Sequence, residues 1–500
     1  MMNPKGLKIS GIDYWPILIF LLSLAILTPL SWQRFVVVDE GFYSIAAKLI
    51  TEGKTPYHDF FYPQMPLLPY LYAAIYSIFG SDWLVTRIFT ALLSALAVTL
   101  LFLCVRRELQ LRSALIASTL FLSSNMFLAW GTVLKTYSLS ILLLLSAYYF
   151  LQRGSAERKM LFLFLAGLFL GLSVNTRMFF AVCGLPFLLR ILMSDGNKGI
   201  MLKYFFFGGI LSLLPLLYFL CTCPESFWFG NYGYHSMRSS YSSTQAVNQK
   251  LRTLKILFNL YPTPRKPGFQ ELILIAANLV YFAYALIRGR KLLALSIAFI
   301  LFFVNFLPTP AHPQYFTAVI PFFIMGFLSL TDQFFLKSRK LYITFMGIIG
   351  AAWLFHTPQA VRSVTVAGTD VVGIGGGRPE FSHIWNIQKL ENKLAELTEK
   401  GEPVLSYWPG YLLGTDNAIV PGMENNFIWL VEDEITDSEK HEYQIRSLQE
   451  IKGLLTDNKI RVIVRGRENP VFRTWGATKY GYNKAAVIDG VRIYTRRNLK

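Results

Sequence analysis

The stretch WPILIFLLSLAILTPLSWQRFVVVDEGFY, Trp15 to Tyr43, decides how this chain is read. The run from Trp15 to about Trp32 carries no charge, and a bilayer crossing takes about 20 apolar residues, with roughly 17 still sufficient. Directly behind it stands a carboxylate pair, Asp39-Glu40. Charge at the mouth of a membrane span is costly to hold without a task, so in a chain with many spans the pair marks a candidate functional site. The bland alternative, a solvated loop pair balanced by Arg34 and Lys48, fits poorly with how little polar sequence surrounds it.

Working outward, the rest of the chain is of the same kind. Of 500 residues 53% are hydrophobic and 16% charged, and the mean hydropathy is +0.41. That is too apolar for a soluble protein of this length. Lys5 and Lys8 precede the first span, and no small-residue cleavage site follows it, so it reads as a retained anchor. The net charge of +18 raises nucleic acid as a partner, but many of the Lys and Arg fall in short loops between apolar runs, where membrane topology accounts for them. Cys104 and Cys183 lie inside apolar runs, and Cys221 and Cys223 flank a single residue, a spacing unsuited to a disulfide or a zinc site.

About eleven spans can be placed, near 15–32, 83–105, 114–130, 134–151, 160–175, 177–193, 201–221, 271–287, 292–307, 314–330 and 341–356. Basic clusters at alternate loops orient them: Arg106-Arg107 with Arg112, Arg153 with Arg158-Lys159, Lys198 with Lys203, Arg288-Arg290-Lys291, and Lys337-Arg339-Lys340. These clusters and the N-terminal lysines are expected on the cytoplasmic side. Residues 160–193 then cross twice, with an outer turn at Asn175-Thr176-Arg177.

The opposite face receives 33–82, 223–270 and everything after His356. In 33–82, Phe42, Ile45, Ala46 and Leu49 have helical spacing and Gly53 ends the pattern. Residues 1–356 form the membrane domain and 357–380 a linker containing Gly373-Ile374-Gly375-Gly376-Gly377. Residues 381–500 form a soluble α/β domain on the extracytoplasmic side. In that tail Ile387, Leu390, Leu394 and Leu397 predict a helix with Ser382 as cap and Gly401 as stop, and a second helix is expected between Ser438 and Leu455. Strands are expected at 403–407, 461–464, 485–488 and 491–494.

Val38-Asp39-Glu40-Gly41-Phe42-Tyr43, Tyr62-Pro63-Gln64-Met65-Pro66-Leu67-Leu68, Arg87 opening the second span, and His312-Pro313-Gln314-Tyr315 follow one another on one face. In this order they resemble the membrane-embedded GT-C glycosyltransferases, near the protein O-mannosyltransferases and lipid A aminoarabinose transferases of the glycosyltransferase family 39 type. The resemblance covers the whole membrane portion. It implies a polytopic α-helical GT-C fold with a soluble tail, set in the cytoplasmic (inner) membrane. It also implies an inverting transfer of a sugar from a polyprenyl-phosphate donor to the hydroxyl of a lipid, glycan or protein acceptor on the outer face. Two departures stand out. The aminoarabinose transferases carry a lysine ahead of paired prolines where this chain has Gln64-Met65-Pro66, and an acidic residue common after the third span of the mannosyltransferases is replaced by Lys135-Thr136-Tyr137.

Such a displacement needs a carboxylate that takes the acceptor proton on the face opposite the departing phosphate, and Asp39 is the candidate base. Glu40 is expected to orient it, bind sugar hydroxyls, or raise its pKa through like charge. The leaving phosphate calls for cations and donors at the outer boundary, and Arg87, Lys135, Arg177, His312 and Tyr315 are the candidates. Tyr43, His58, Tyr62 and Gln64 are candidates for the sugar or acceptor. No compact metal-ligand motif is present; a divalent metal ion on Glu40, His58 and Asp59 is weighed as the one cofactor. Trp228, Tyr232, Tyr234, His235 and Tyr241 in the second outer segment suit stacking on sugars or interfacial anchoring. A transporter or flippase of lipid-linked sugars is the alternative from another class, but it needs charge near mid-span, whereas these candidates sit at span ends.

Overall fold

The computed structural model of the protein describes residues 8–9, 12–239, 242–258, 269–288, 292–335, 338–362, 364–365, 383–457, 459–466 and 477–496. It is a bundle of apolar helices that carries a small α/β layer at its C-terminal end. Among the described residues, six helices are long and apolar enough to cross a membrane: Trp15–Gln33, Trp83–Glu108, Lys198–Thr222, Phe269–Arg288, Pro313–Asp332 and Arg339–Arg362. The segment expected to span 114–130 is broken into Leu111–Leu122 and Asn125–Trp130. The one expected at 177–193 opens as a 3-10 turn, Met178–Cys183, before Gly184–Leu192.

Local chemistry explains the main boundaries. Asp82 caps Trp83–Glu108 by accepting the backbone N–H of Leu84 at 2.6 Å, and Arg106 and Arg107 sit in its last turn, where cations favour the helix dipole. Met160–Val174 packs against Lys198–Thr222 through glycines. A Cβ at Gly167 would lie 1.9 Å from the Phe205 carbonyl oxygen, and one at Gly208 would lie 2.0 Å from that of Phe164. Backbones can approach this closely in a membrane only where side chains are missing.

Between the first two long helices lie two shorter ones, Val38–Thr51 and Leu67–Phe79. The stripe Phe42, Ile45, Ala46 and Leu49 is buried, and the chain turns at Gly53 with φ +85°.

In the tail a five-stranded sheet has the order 418–419, 403–406, 462–465, 491–495, 483–488. The first two contacts are parallel and the last two antiparallel, and the Asp489-Gly490 turn joins the closing hairpin. Helix Ile384–Leu397 lays Ile387, Leu390 and Leu394 into the core. It ends four residues ahead of Gly401, and Ser382 and the glycine cluster at 373–377 lie outside the described residues. The single helix expected over 438–455 is two, Asp437–Glu442 and Leu448–Thr456. Each opens on its own capping box, Thr436 with Glu439 and Ser447 with Glu450, so the chain carries two start signals where periodicity alone showed one element. The start of the expected linker is helical, Thr357–Arg362. Just beyond it the carbonyl of Val364 accepts from the backbone N–H of Phe35 at 3.1 Å.

The tail is seated on the membrane part rather than tethered to it. Trp408 stacks on Trp83, Lys48 donates to the carbonyls of Leu412 at 2.8 Å and Thr415 at 2.5 Å, and Phe427 packs edge-on against Phe42.

Candidate active site

A cavity of about 950 Å³ opens where the bundle meets the tail, walled by residues from seven separate stretches of chain. Asp39 enters it from the first turn of Val38–Thr51, its side chain 29% exposed. Lys135 reaches it from the residue preceding helix Thr136–Glu157, and its Nζ lies 2.6 Å from Asp39 Oδ2 and 4.5 Å from the centre of the Trp130 ring. Arg177 stands just before the 3-10 turn Met178–Cys183. Its guanidinium is sandwiched by the rings of Tyr137 and Tyr315, at 4.9 and 5.2 Å, and donates to Thr136 Oγ1 at 3.3 Å. Tyr43, Gln64, His312 and Tyr315 complete the set of expected residues on the wall.

Electrostatics divides these groups by role. Burial alone would raise the Asp39 carboxyl, but the charge and hydrogen bond of Lys135, with His312 and Arg238 beyond, outweigh it and hold the carboxyl below the usual carboxylate range. Asp39 is therefore ionised at neutral pH. Burial, aided by Arg238, pushes His312 down to about 4, and burial pushes His235 down to about 4 as well. Both imidazoles are neutral, so His312 acts as a hydrogen-bonding group and the positive charge on the wall comes from Arg34, Lys135, Arg177 and Arg238.

Five expected site residues stand elsewhere. Glu40 is fully buried behind the cavity, where its Oε2 accepts from Arg87 Nη2 and the Val37 N–H, both at 2.8 Å, and its Oε1 accepts from the Leu134 N–H at 2.9 Å. Burial pushes its carboxyl up, with Arg87 and the two backbone donors opposing. Its lone pairs face protein donors, which leaves none directed at a sugar, and it does not figure among the charges that set Asp39. Arg87 is turned inward as well: Nη1 donates to the carbonyls of Ser31 and Thr132 at 3.2 and 3.0 Å, and Nη2 to Phe35 at 3.3 Å. One helical face decides this, because the residue opens the second span beside Glu40 rather than beside the headgroups. Tyr62 is 1% exposed and packs among Phe42, Tyr43 and Tyr57, away from the cavity wall. His58 pairs with Asp59 at 2.8 Å on the surface, 59% and 35% exposed. Glu40, His58 and Asp59 thus do not converge, and among the described residues no group of three His, Cys, Asp or Glu side chains is placed to hold a metal.

The cavity also contains residues that sequence reading passed over. Arg238, beside Tyr234 and facing Asp39's cavity, lies in the second outer segment, where a lone arginine among aromatics was a usable signal. Trp130 was hidden inside an apolar run, and Tyr137, though it stands beside Lys135-Thr136, was given no role of its own. Phe427 comes from the tail, and nothing local in the sequence marks it; Tyr241 lies outside the described residues.

This arrangement matches a known architecture. ArnT from Cupriavidus metallidurans bound to undecaprenyl phosphate superposes with a TM-score of 0.69, at 14% identity, over 96% of this chain and 97% of that one. The chain has the GT-C fold. The archaeal oligosaccharyltransferase AglB from Archaeoglobus fulgidus, in complex with an inhibitory peptide and a dolichol-phosphate, gives a TM-score of 0.52 at 14% identity, over 90% of this chain and 69% of that one. Residues 63–222 match the model of the dolichyl-phosphate-mannose-protein mannosyltransferase family. GPI mannosyltransferase 1 of Kluyveromyces lactis is 24% identical over 209 residues, which is 42% of this chain and 48% of that relative, so the match spans about half the relative's length. With six helices long and apolar enough to cross a membrane among the described residues, the fold is that of a multi-pass membrane protein.

Proposed function

We propose that this GT-C protein is an inverting glycosyltransferase that moves a sugar from a polyprenyl-phosphate donor to an acceptor hydroxyl on a lipid, glycan or protein, at the outer face of the cytoplasmic membrane. The observation that carries the reading is the ionised Asp39 carboxylate held at 2.6 Å by Lys135 in a cavity whose remaining wall bears three arginines and five phenolic side chains. One base and several anion-stabilising groups are what such a displacement needs.

Lys135 holds Oδ2 of Asp39, which leaves Oδ1 to accept the hydroxyl proton. As the acceptor oxygen forms its bond to the anomeric carbon, the bond from that carbon to the phosphate oxygen breaks, and the polyprenyl monophosphate leaves with the electron pair. The growing phosphate charge meets Lys135, Arg177 and Arg238, with Tyr315 and neutral His312 as hydrogen-bonding partners. Tyr43 and Gln64 lie on the wall where sugar hydroxyls need partners, and the aromatic surface of Trp130, Tyr137 and Phe427 suits stacking on a sugar face. ArnT bound to undecaprenyl phosphate and AglB in complex with a dolichol-phosphate support a lipid-phosphate donor through the shared fold. The experiment is to incubate membranes holding the protein with a panel of labelled polyprenyl-phosphate sugars. Movement of one label to an acceptor, absent from membranes lacking the protein, supports the reading; no transfer from any lipid-phosphate sugar overturns it.

A further inference from the structure

The tail does more than cover the cavity. Residues 408–415, which leave the end of strand Pro403–Ser406, grip the helix that carries Asp39 at both of its ends. At the start, the Trp408 indole N–H donates to the carbonyl of Val38 at 2.8 Å, which is the carbonyl of the peptide unit joining Val38 to Asp39. At the other end, three turns on, Lys48 donates to the carbonyls of Leu412 and Thr415.

The fit at the first contact is tight. A Cβ at Gly41 would lie 2.5 Å from Trp408 Nε1 and 2.7 Å from its Cε2, and a Cβ at Gly410 would come within 2.9 Å of the Gly41 Cα. Glycine at 41 is therefore a requirement of the indole rather than of the backbone, since its φ is ordinary for a helix and it is absent from the residues with positive φ. Trp408 is itself fixed: it is 4% exposed, stacked on Trp83 at 5.9 Å and set edge-on to Tyr411 at 4.6 Å.

We infer that Trp408 is a positioning residue for the transfer reaction, holding the Val38–Asp39 peptide so that the Asp39 carboxylate meets Lys135 on the cavity wall. Asp39 is held from one side by Lys135 and from the other, through its backbone, by the tail. The inference rests on the reading of Asp39 as the base. Misplacing a reacting group by about 1 Å costs on the order of 100-fold in rate, so one hydrogen bond at this peptide is enough to couple the two domains.

The test uses the full chain in membranes. Trp408→Phe keeps an aromatic ring against Trp83 while removing the indole donor and part of the ring's bulk, and Gly41→Ala presses on the same contact from the opposite side. Each is expected to lower kcat by about tenfold or more while the donor KM stays within about twofold, because substrate binding is untouched. The acid limb of the kcat profile is also expected to rise toward the ordinary carboxylate range. The groups facing Asp39 are Lys135, Arg238, His312, Tyr43, Tyr137 and Tyr234, and the contact with Lys135 is the one that loosening the peptide changes first. Combining the two substitutions should cost little more than the worse single one, since both break one contact. Wild-type kcat and an unmoved acid limb in Trp408→Phe, with Asp39→Asn inactive, overturn the inference and leave the function standing. Full turnover in Asp39→Asn removes the function reading first. If Trp408→Phe does not accumulate as folded protein, Gly41→Ala decides alone, with a wild-type profile counting against the inference.

Discussion

The two sides of the helix that begins at Val38 hold charge in opposite ways. On the buried side, Glu40 pairs with Arg87 and both bond a ring of backbone groups, leaving both carboxylate oxygens occupied. On the cavity side, Asp39 has one ammonium partner and an open face toward the cavity. Adjacent residues of like chemistry thus separate into a structural knot and a reactive group. The difference lies in how many protein donors each carboxylate meets, which adjacency in sequence does not reveal.

The largest expected effect breaks the knot. Arg87→Met leaves the Glu40 carboxylate buried without its counter-ion, and removing one partner of a buried pair costs about 3–5 kcal/mol. Thermal melts in detergent should show that loss, and the double variant Glu40→Leu with Arg87→Met should recover much of it, since the carboxylate and its partner leave together and the neighbouring Arg34 keeps its bonds to the Ala129 and Val364 carbonyls. A double variant as unstable as the single one would mean that the backbone contacts, not the pair, hold the region.

Next in size is Lys135→Met on the cavity side, where stability should change little and turnover should fall on the order of 100-fold through loss of one anion-stabilising group. The sign for Asp39 follows from its depressed pKa. Lys135 holds the carboxyl below the ordinary value of about 3.9 against burial, the largest influence, so its removal should move the acid limb of activity up past that value. A pH–rate profile on the variant checks this, and an unmoved limb would show that the limb belongs to another group.

The smallest expected effect lies in the tail, where burial pushes Glu391 up to about 8 against the Gly414 N–H that donates to it at 2.8 Å. The folded protein then keeps a proton that the unfolded chain releases near ~4.3, so stability should fall as pH rises from that value to about 8. Glu391→Gln should abolish this fall, raising Tm by a few degrees at pH 8 and leaving it unchanged at pH 4. Equal Tm gains at both pH values would point to packing instead.

Much of this was legible in the sequence because the signals were local. Hydropathy over about 20 residues located the long helices, and the stripe Phe42, Ile45, Ala46 and Leu49 foretold the buried face behind Asp39. Lys135, Arg177 and His312 were found because charge next to an apolar run is conspicuous. The inward turn of Arg87 and the burial of Tyr62 were not legible, since a span-end arginine facing lipid and one facing a carboxylate have the same neighbours in sequence. Phe427 and Trp408 were beyond reach for a further reason. Each meets the helix at Val38 across more than 300 residues of chain, and such contacts are set by how the tail docks.

The central claim is tested most directly by Asp39→Asn, which keeps the side chain's size and its place beside Lys135 while removing its capacity to take a proton. With the protein inserted and melting as wild type, transfer from the labelled polyprenyl-phosphate sugar that the wild type uses is expected to fall to background at every pH. Wild-type turnover in that variant would contradict the account.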